Sequence, residues 1–203
     1  MQSNPNKVAR EVKRIYKNAD VKIKNVKSVC SKGCSHCCHQ HVRVHMAEGA
    51  LIDKYIKESM TYETKKKVLL NFESWFKFFN DNTPNSKVIG ESEMLEFEMT
   101  AAKSKLACPF LIEDECSIYS VRPLACRTHI VNDSSDICEK KSHRNGHPKG
   151  YEIQELMFNN ISRASDSRGI RSLMYATSEM IGYKESLKPT ALIMNPTLKP
   201  SLA

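Results

Sequence analysis

The stretch VCSKGCSHCCHQHVRVH, residues 29–45, places four cysteines and four histidines in seventeen positions. Cys30, Cys34, Cys37 and Cys38 restrict what this chain can become more than any other feature. Thiols so close together oxidise, cross-link and capture metal unless something specific holds them. The first twenty residues carry no apolar run of the signal-peptide kind, and no run reaches the roughly 18–20 residues a membrane span needs. The expected setting is therefore a reducing cytoplasm. There, clustered cysteines point to metal or redox chemistry before structural disulfides. Eight cysteines in 203 residues also fall well short of the density of a disulfide scaffold.

The other four, Cys108, Cys116, Cys126 and Cys138, follow about seventy residues after the first group. Thiolates are soft ligands that suit zinc and iron, including iron–sulfur clusters. Four of them close one structural zinc site or one cubane cluster. Eight would fill two such sites, or one site with thiols to spare. All eight are candidate metal ligands, and the expected cofactor is zinc or iron, an iron–sulfur cluster included. A buried free cysteine is otherwise a small hydrophobe. That reading suits a lone residue such as Cys138, which lies in a polar stretch, but not four cysteines in nine positions.

Hydrophobic periodicity predicts helices over 6–19, 47–58 and 62–80, with a weaker pattern over 91–105. HQHVRVH alternates as a short strand would, with the valines facing inward and His39, His41, Arg43 and His45 on the other side. LACPFLIEDECSIYS reads as a tight hairpin turning at Glu113–Glu115. Pro123 opens a short helix, 132–150 reads as a loop, and 151–161 and 166–182 as helices. NTPNS at 82–86 is a loop, and the tail is broken by Pro189, Pro196 and Pro200. The expected fold is mainly α with a small β-hairpin and strand element, a metal-organised domain with flanking helices. Its expected organisation is a basic helical arm (1–29), a cysteine-cluster domain with a helical insert (30–150), and C-terminal helices with a proline-containing tail packed on the same domain (151–203).

CSKGCSHCC, the strand VRV and Glu48, and then CPFL…CSIYSVRPLACR together resemble the CxxCxxCC cysteine-cluster family. The resemblance covers roughly residues 30–130. It implies a zinc- or iron-chelating domain. A related cysteine pattern occurs in flagellin lysine methylases, which implies an iron–sulfur enzyme, or an accessory to protein lysine methylation, as an alternative. The family often carries a glycine in the turn where this chain has Glu113-Asp114-Glu115. Arg122 and Arg127 match the family's RP and CR positions. An arginine there would steady the negative charge of a thiolate cluster, or else pair with the acidic turn.

Among the histidines, His36 lies inside the cluster and is the best candidate for a ligand. Cys126 and His129, and His143 and His147, have ligand-like spacing. His39, His41 and His45 need no more explanation than a half-exposed strand face. The net charge is +8, and residues 1–29 hold most of it, with eight basic residues against two acidic ones. This basic arm suggests an acidic partner or nucleic acid, and a zinc-organised nucleic-acid binder is the third functional alternative. A solvated helix face explains the charge as well, because no aromatic residues interleave with it as base stacking would require. No Gly-rich nucleotide loop and no Ser/His/Asp arrangement can be placed.

Overall fold

Apolar residues recur at helical spacing in five long stretches, and each is a helix in the computed structural model, which describes residues 4–30, 33–82, 90–141, 144–165 and 169–178. These are α1 (Pro5–Lys24), α2 (Met46–Glu58), α3 (Tyr62–Asn82), α4 (Glu91–Ser104) and α7 (Pro148–Ser165). Three short helices are also present among the described residues: α5 (Leu124–Thr128), α6 (Ser135–Lys140) and α8 (Leu173–Ser178). Two small antiparallel pairs join them. β1 (Arg43–His45) pairs with β4 (Ile170–Ser172), and β2 (Leu111–Ile112) pairs with β3 (Glu115–Cys116). The fold is mainly α with small β elements.

The start of α1 follows from its sequence. The Asn4 side chain accepts from the Asn6 and Lys7 amides at 3.0 and 3.4 Å, and Pro5 takes the first helical position, where no amide is needed. Its apolar stripe, Val12, Ile15, Tyr16 and Ala19, is buried against α7, α5 and α2. Its lysines and arginines at 7, 10, 13, 14, 17, 22 and 24 are all exposed. Helix α3 buries Val68, Phe72, Trp75, Phe76 and Phe79. Trp75 donates to the Ala107 carbonyl at 2.6 Å and Asn71 to the Pro109 and Leu111 carbonyls, so α3 holds the chain just before and inside the β2–β3 hairpin.

Four local readings need correction. Residues 132–150 are not loop throughout: α6 forms within them, and α7 begins at Pro148. The described part of 166–182 is strand β4 followed by α8, not one helix. The HQHVRVH strand is only three residues long, because His36–His39 turn as a 3-10 helix. His45 is not on an exposed face. It is wholly buried, and its Nδ1 accepts from the Ala47 amide at 3.0 Å at the start of α2. The 82–86 loop, except Asn82 at the end of α3, and the proline-broken tail lie outside the described residues.

A buried carboxylate ties these parts together. Glu48 Oε1 accepts from the Tyr16 hydroxyl at 2.9 Å and the Leu124 amide at 2.7 Å, while Oε2 accepts from the His45 amide at 2.9 Å. One side chain thereby joins α1, α2, the end of β1 and the first residue of α5. Close packing joins α5 to α7 as well. A methyl group at Gly150 would strike the Thr128 backbone carbonyl oxygen, an atom that cannot swing aside. Gly150→Ala should therefore cost about 1–3 kcal/mol, the usual cost of overpacking a core. Denaturant unfolding checks this, and an unchanged midpoint would show that α7 can shift freely on α5.

Candidate metal centre

Each cysteine is held by a different local device. Gly33, at φ 87°, turns the chain between Cys30 and Cys34 in a conformation that costs other residues strain. The 3-10 turn His36–His39 then presents Cys37 and Cys38 in succession. The Cys108 amide donates to the Cys38 carbonyl at 2.6 Å, a direct backbone link between the two cysteine groups. Cys116 sits opposite Leu111 on the β2–β3 hairpin. That hairpin turns through Glu113 and Asp114, both left-handed at φ 53° and 60°, the pattern of a two-residue primed turn. Ser35 donates to Asp114 at 3.0 Å and so fastens the first group to the turn. Cys126 rides on α5 and Cys138 on α6.

Seven of the eight cysteines, Cys30, Cys34, Cys37, Cys38, Cys108, Cys116 and Cys126, line one cavity of about 660 Å³. Cys138 does not line it; it lies on α6, which packs on the His36–His39 turn. All eight thiols are free. Those in the cavity line a wall rather than a finished socket: among the described residues, no three His, Cys, Asp or Glu side chains close on a common point as ligands of a single ion do.

The electrostatics follow from burial and neighbours. Burial, together with the charges of the other cysteines, pushes the Cys126 thiol well up and the Cys108 thiol up to about 12; Cys116 is raised mainly by burial. Cys37 moves the other way. A hydrogen bond from Cys38 lowers it, with help from the Arg122 charge, and the same bond keeps Cys38 protonated. Uncompensated thiolates crowded this closely would repel one another. A cation among them removes that penalty.

The two motif arginines have separate jobs. Arg127 is nearly buried, and each of its three nitrogens donates a hydrogen bond. It donates to Asp20 at 2.8 and 3.0 Å and to the Arg122 and Ser120 carbonyls, and it lies over the Tyr16 ring. Its ion pair is thus with Asp20 on α1, not with the acidic turn. Arg122 lies over Tyr119 and lines the cavity, and its Nε is buried without a hydrogen-bond partner among the described residues. A buried guanidinium donor with nothing to bind, facing a wall of thiols, fits a site built to hold anionic sulfur around a metal. Eight soft donors and one spare cationic donor make a set that fits zinc or iron.

The histidines divide differently from their spacing. His129 lines the cavity. His36 is exposed on the 3-10 turn. His147 caps α7, with its Nδ1 accepting from the Lys149 amide at 3.1 Å. The His41 ring is wholly buried between Phe97 and Trp75, with Nδ1 3.4 Å from Glu98. His143 lies outside the described residues. Sequence reasoning missed Arg144, which donates to Cys138 Sγ at 2.7 Å and pairs with Asp133. It also missed Asp20. The signal for Asp20 was present: it is one of only two acids in a basic helix, four residues after the inward-facing Tyr16.

No helix among the described residues is long and apolar enough to cross a membrane. No curated protein and no solved structure matches the chain. A family model does: CxxCxxCC, described as "Putative zinc- or iron-chelating domain", matches residues 29–146, which spans both cysteine groups and more than half of the chain. The chain belongs to the CxxCxxCC family.

Proposed function

We propose that this chain binds zinc or iron in the cysteine-lined cavity, through thiolates drawn from Cys30, Cys34, Cys37, Cys38, Cys108, Cys116, Cys126 and Cys138. One observation carries the reading: two cysteine groups about seventy residues apart in sequence share a single cavity wall. Small hydrophobic cysteines would not need to meet. Metal entry would release the thiol protons, so affinity falls in acid. Arg122 would donate its spare Nε–H to the sulfur cage.

Within that reading, an iron–sulfur cluster is the form the geometry favours. The cavity is far larger than one ion, and its thiols are spread around it rather than gathered on a point. Bridging sulfide lets a cluster span thiolates that one zinc ion, with Zn–S bonds of about 2.3 Å, does not. When bound, such a cluster supplies one-electron chemistry or a rigid core for the segments around it. Anaerobic purification followed by an absorption spectrum and elemental analysis tests both levels. The expected protein is brown, with iron and acid-labile sulfide. A colourless protein holding zinc would replace the cluster and leave thiolate binding intact. A folded protein holding neither metal would overturn the proposal.

A further inference from the structure

We infer that the cysteine-lined cavity also takes a small organic anion, with its acidic group on Arg122, Lys24 and Lys27 and its apolar body against Val26, Ile118 and Ile130. The inference rests on the reading that metal occupies the thiol wall, and it assigns a ligand to the rest of the same cavity. A carboxylate on a short hydrocarbon chain is the chemistry that fits.

The cavity measures about 660 Å³, inside the range of roughly 300–1,000 Å³ usual for small-molecule sites. A zinc ion bonded to sulfur at about 2.3 Å fills little of it. Much of the lining offers no atom to a metal. Val26 follows α1, Ile118 follows β3, Ile130 follows α5 and Leu173 opens α8. Ile118 and Leu173 are 1% exposed and Ile130 is 8% exposed. These walls belong to the core, so their shape is set before a ligand enters. Metal–thiolate bonding makes no use of aliphatic walls, whereas a hydrocarbon body is driven out of water onto them.

The charged side chains of the lining are unequally engaged. Arg127 is bound to Asp20. Asp114 accepts from the Ser35 hydroxyl at 3.0 Å, and Glu115 has a partner of its own. Lys24 and Lys27 also line the cavity and are exposed, and among the described residues neither side chain is in an ion pair or hydrogen bond. Lys24 lies in the last turn of α1, where the helix dipole favours a cation. Lys27 lies beyond the helix and lacks that reason. Arg122 has one face on the Tyr119 ring and a buried Nε without a partner, and among the described residues its terminal nitrogens make no hydrogen bond. The sulfur cage can use the Nε–H. The terminal nitrogens still present four N–H groups in a planar fork that matches a carboxylate. Charge balance for thiolates would explain the cations alone; an anion with an apolar body explains the cations and the walls together.

Titration calorimetry on the anaerobically purified, metal-loaded natural chain tests this. Octanoate is the probe. Acetate supplies the acidic group without the body, and octylamine supplies the body with the opposite charge. Octanoate should bind saturably, about one per chain, and at least about tenfold more tightly than either control. In the double variant Lys24→Gln/Lys27→Gln its affinity should fall roughly three- to tenfold, the worth of two exposed charge contacts, while metal content, measured on the same samples, stays unchanged. Both lysines are exposed, so their replacement disturbs no packing. Equal binding of octanoate and octylamine would show the apolar walls acting alone and would overturn the anion site. So would a metal-loaded chain that ignores octanoate, or a double variant that binds it undiminished. Loss of metal from a folded double variant would assign the lysines to the thiolate centre and overturn the site as well. Should the double variant fail to fold, the comparison of the three probes on the natural chain still decides. No metal in the natural chain would instead sink the reading beneath the inference.

Discussion

Removing the metal under reducing, anaerobic conditions should open residues 28–40 to protease while most of the helical signal survives. The reason is where the apolar core lies. Among the described residues of 28–40, none is buried. This segment is held by a few hydrogen bonds, from Val29 to Val131, from Cys108 to Cys38 and from Ser35 to Asp114. Fixing its backbone costs about 1–2 kcal/mol per residue. Each hydrogen bond returns a net of only about 0.5–1.5 kcal/mol. The deficit is of the same order as the roughly 10–16 kcal/mol that a structural thiolate metal site supplies. Helices α1, α2, α3 and α7 stand differently, since Val12, Leu51, Ile52, Phe72, Trp75, Met157 and Ile161 are buried in an apolar core that Cys108 and Cys116 only flank. Limited proteolysis of holo and stripped protein checks the expectation, with cleavage sites mapped by mass. Cleavage should concentrate in 28–40 of the stripped form alone. An identical cleavage pattern with and without metal would show that this segment holds its shape by other means.

How much of this was legible in the sequence depends on the range over which each feature is encoded. The long helices were readable because four or more turns of apolar spacing average out local noise; α1 and α3 differ from their predicted spans only at the ends. The cysteine clusters were readable because no ordinary core needs them. Helix α6 was not, since six residues hold fewer than two turns and show no period. Its one signal was Ser134, whose hydroxyl accepts from the Asp136 amide at 3.2 Å, with Asp136 in the first turn. The β1–β4 pair was out of reach for another reason. Three-residue strands that meet from opposite ends of the chain leave no local trace of their partner. Cys138 reads as a lone small hydrophobe because its sequence neighbourhood is polar. Its company in space comes from α6 docking on the His36–His39 turn and from Arg144, and neither is written near it in a recognisable motif. The arginines show the same limit. Their positions in RP-x-x-CR were visible, but not that one would bond through every nitrogen and the other be left with a spare donor.

Replacing Glu48 should damage both the fold and the metal centre, although it touches no cysteine. Its carboxylate satisfies three buried donors, Tyr16 Oη and the amides of Leu124 and His45. Glu48→Ala would strand all three and should cost on the order of 3–5 kcal/mol, a large part of the total stability of a domain this size. The Leu124 amide is the first of α5, so Cys126 and Arg127 should lose their anchor, and metal content should fall with stability. Glu48→Gln is the sharper probe. It keeps one acceptor oxygen but turns an amide donor toward another donor, which should cost about 1–3 kcal/mol. Its pH dependence has a definite sign. Burial is the strongest influence on the Glu48 carboxyl and raises it above the ordinary 4.5, against the lowering effect of its three hydrogen bonds and the Arg127 charge. A carboxyl raised in the folded state takes up a proton more readily there than in the unfolded chain. Its contribution is fully present below the ordinary carboxyl value and is lost as pH rises through the folded value. The stability gap between the natural chain and Glu48→Gln should therefore be widest in acid and narrow as pH rises. Comparing the two proteins in denaturant at each pH cancels the shared loss of metal in acid. A gap that widened with pH would mean that the three hydrogen bonds and Arg127 outweigh burial, and that Glu48 is held ionised at the joint between α1, α2 and α5.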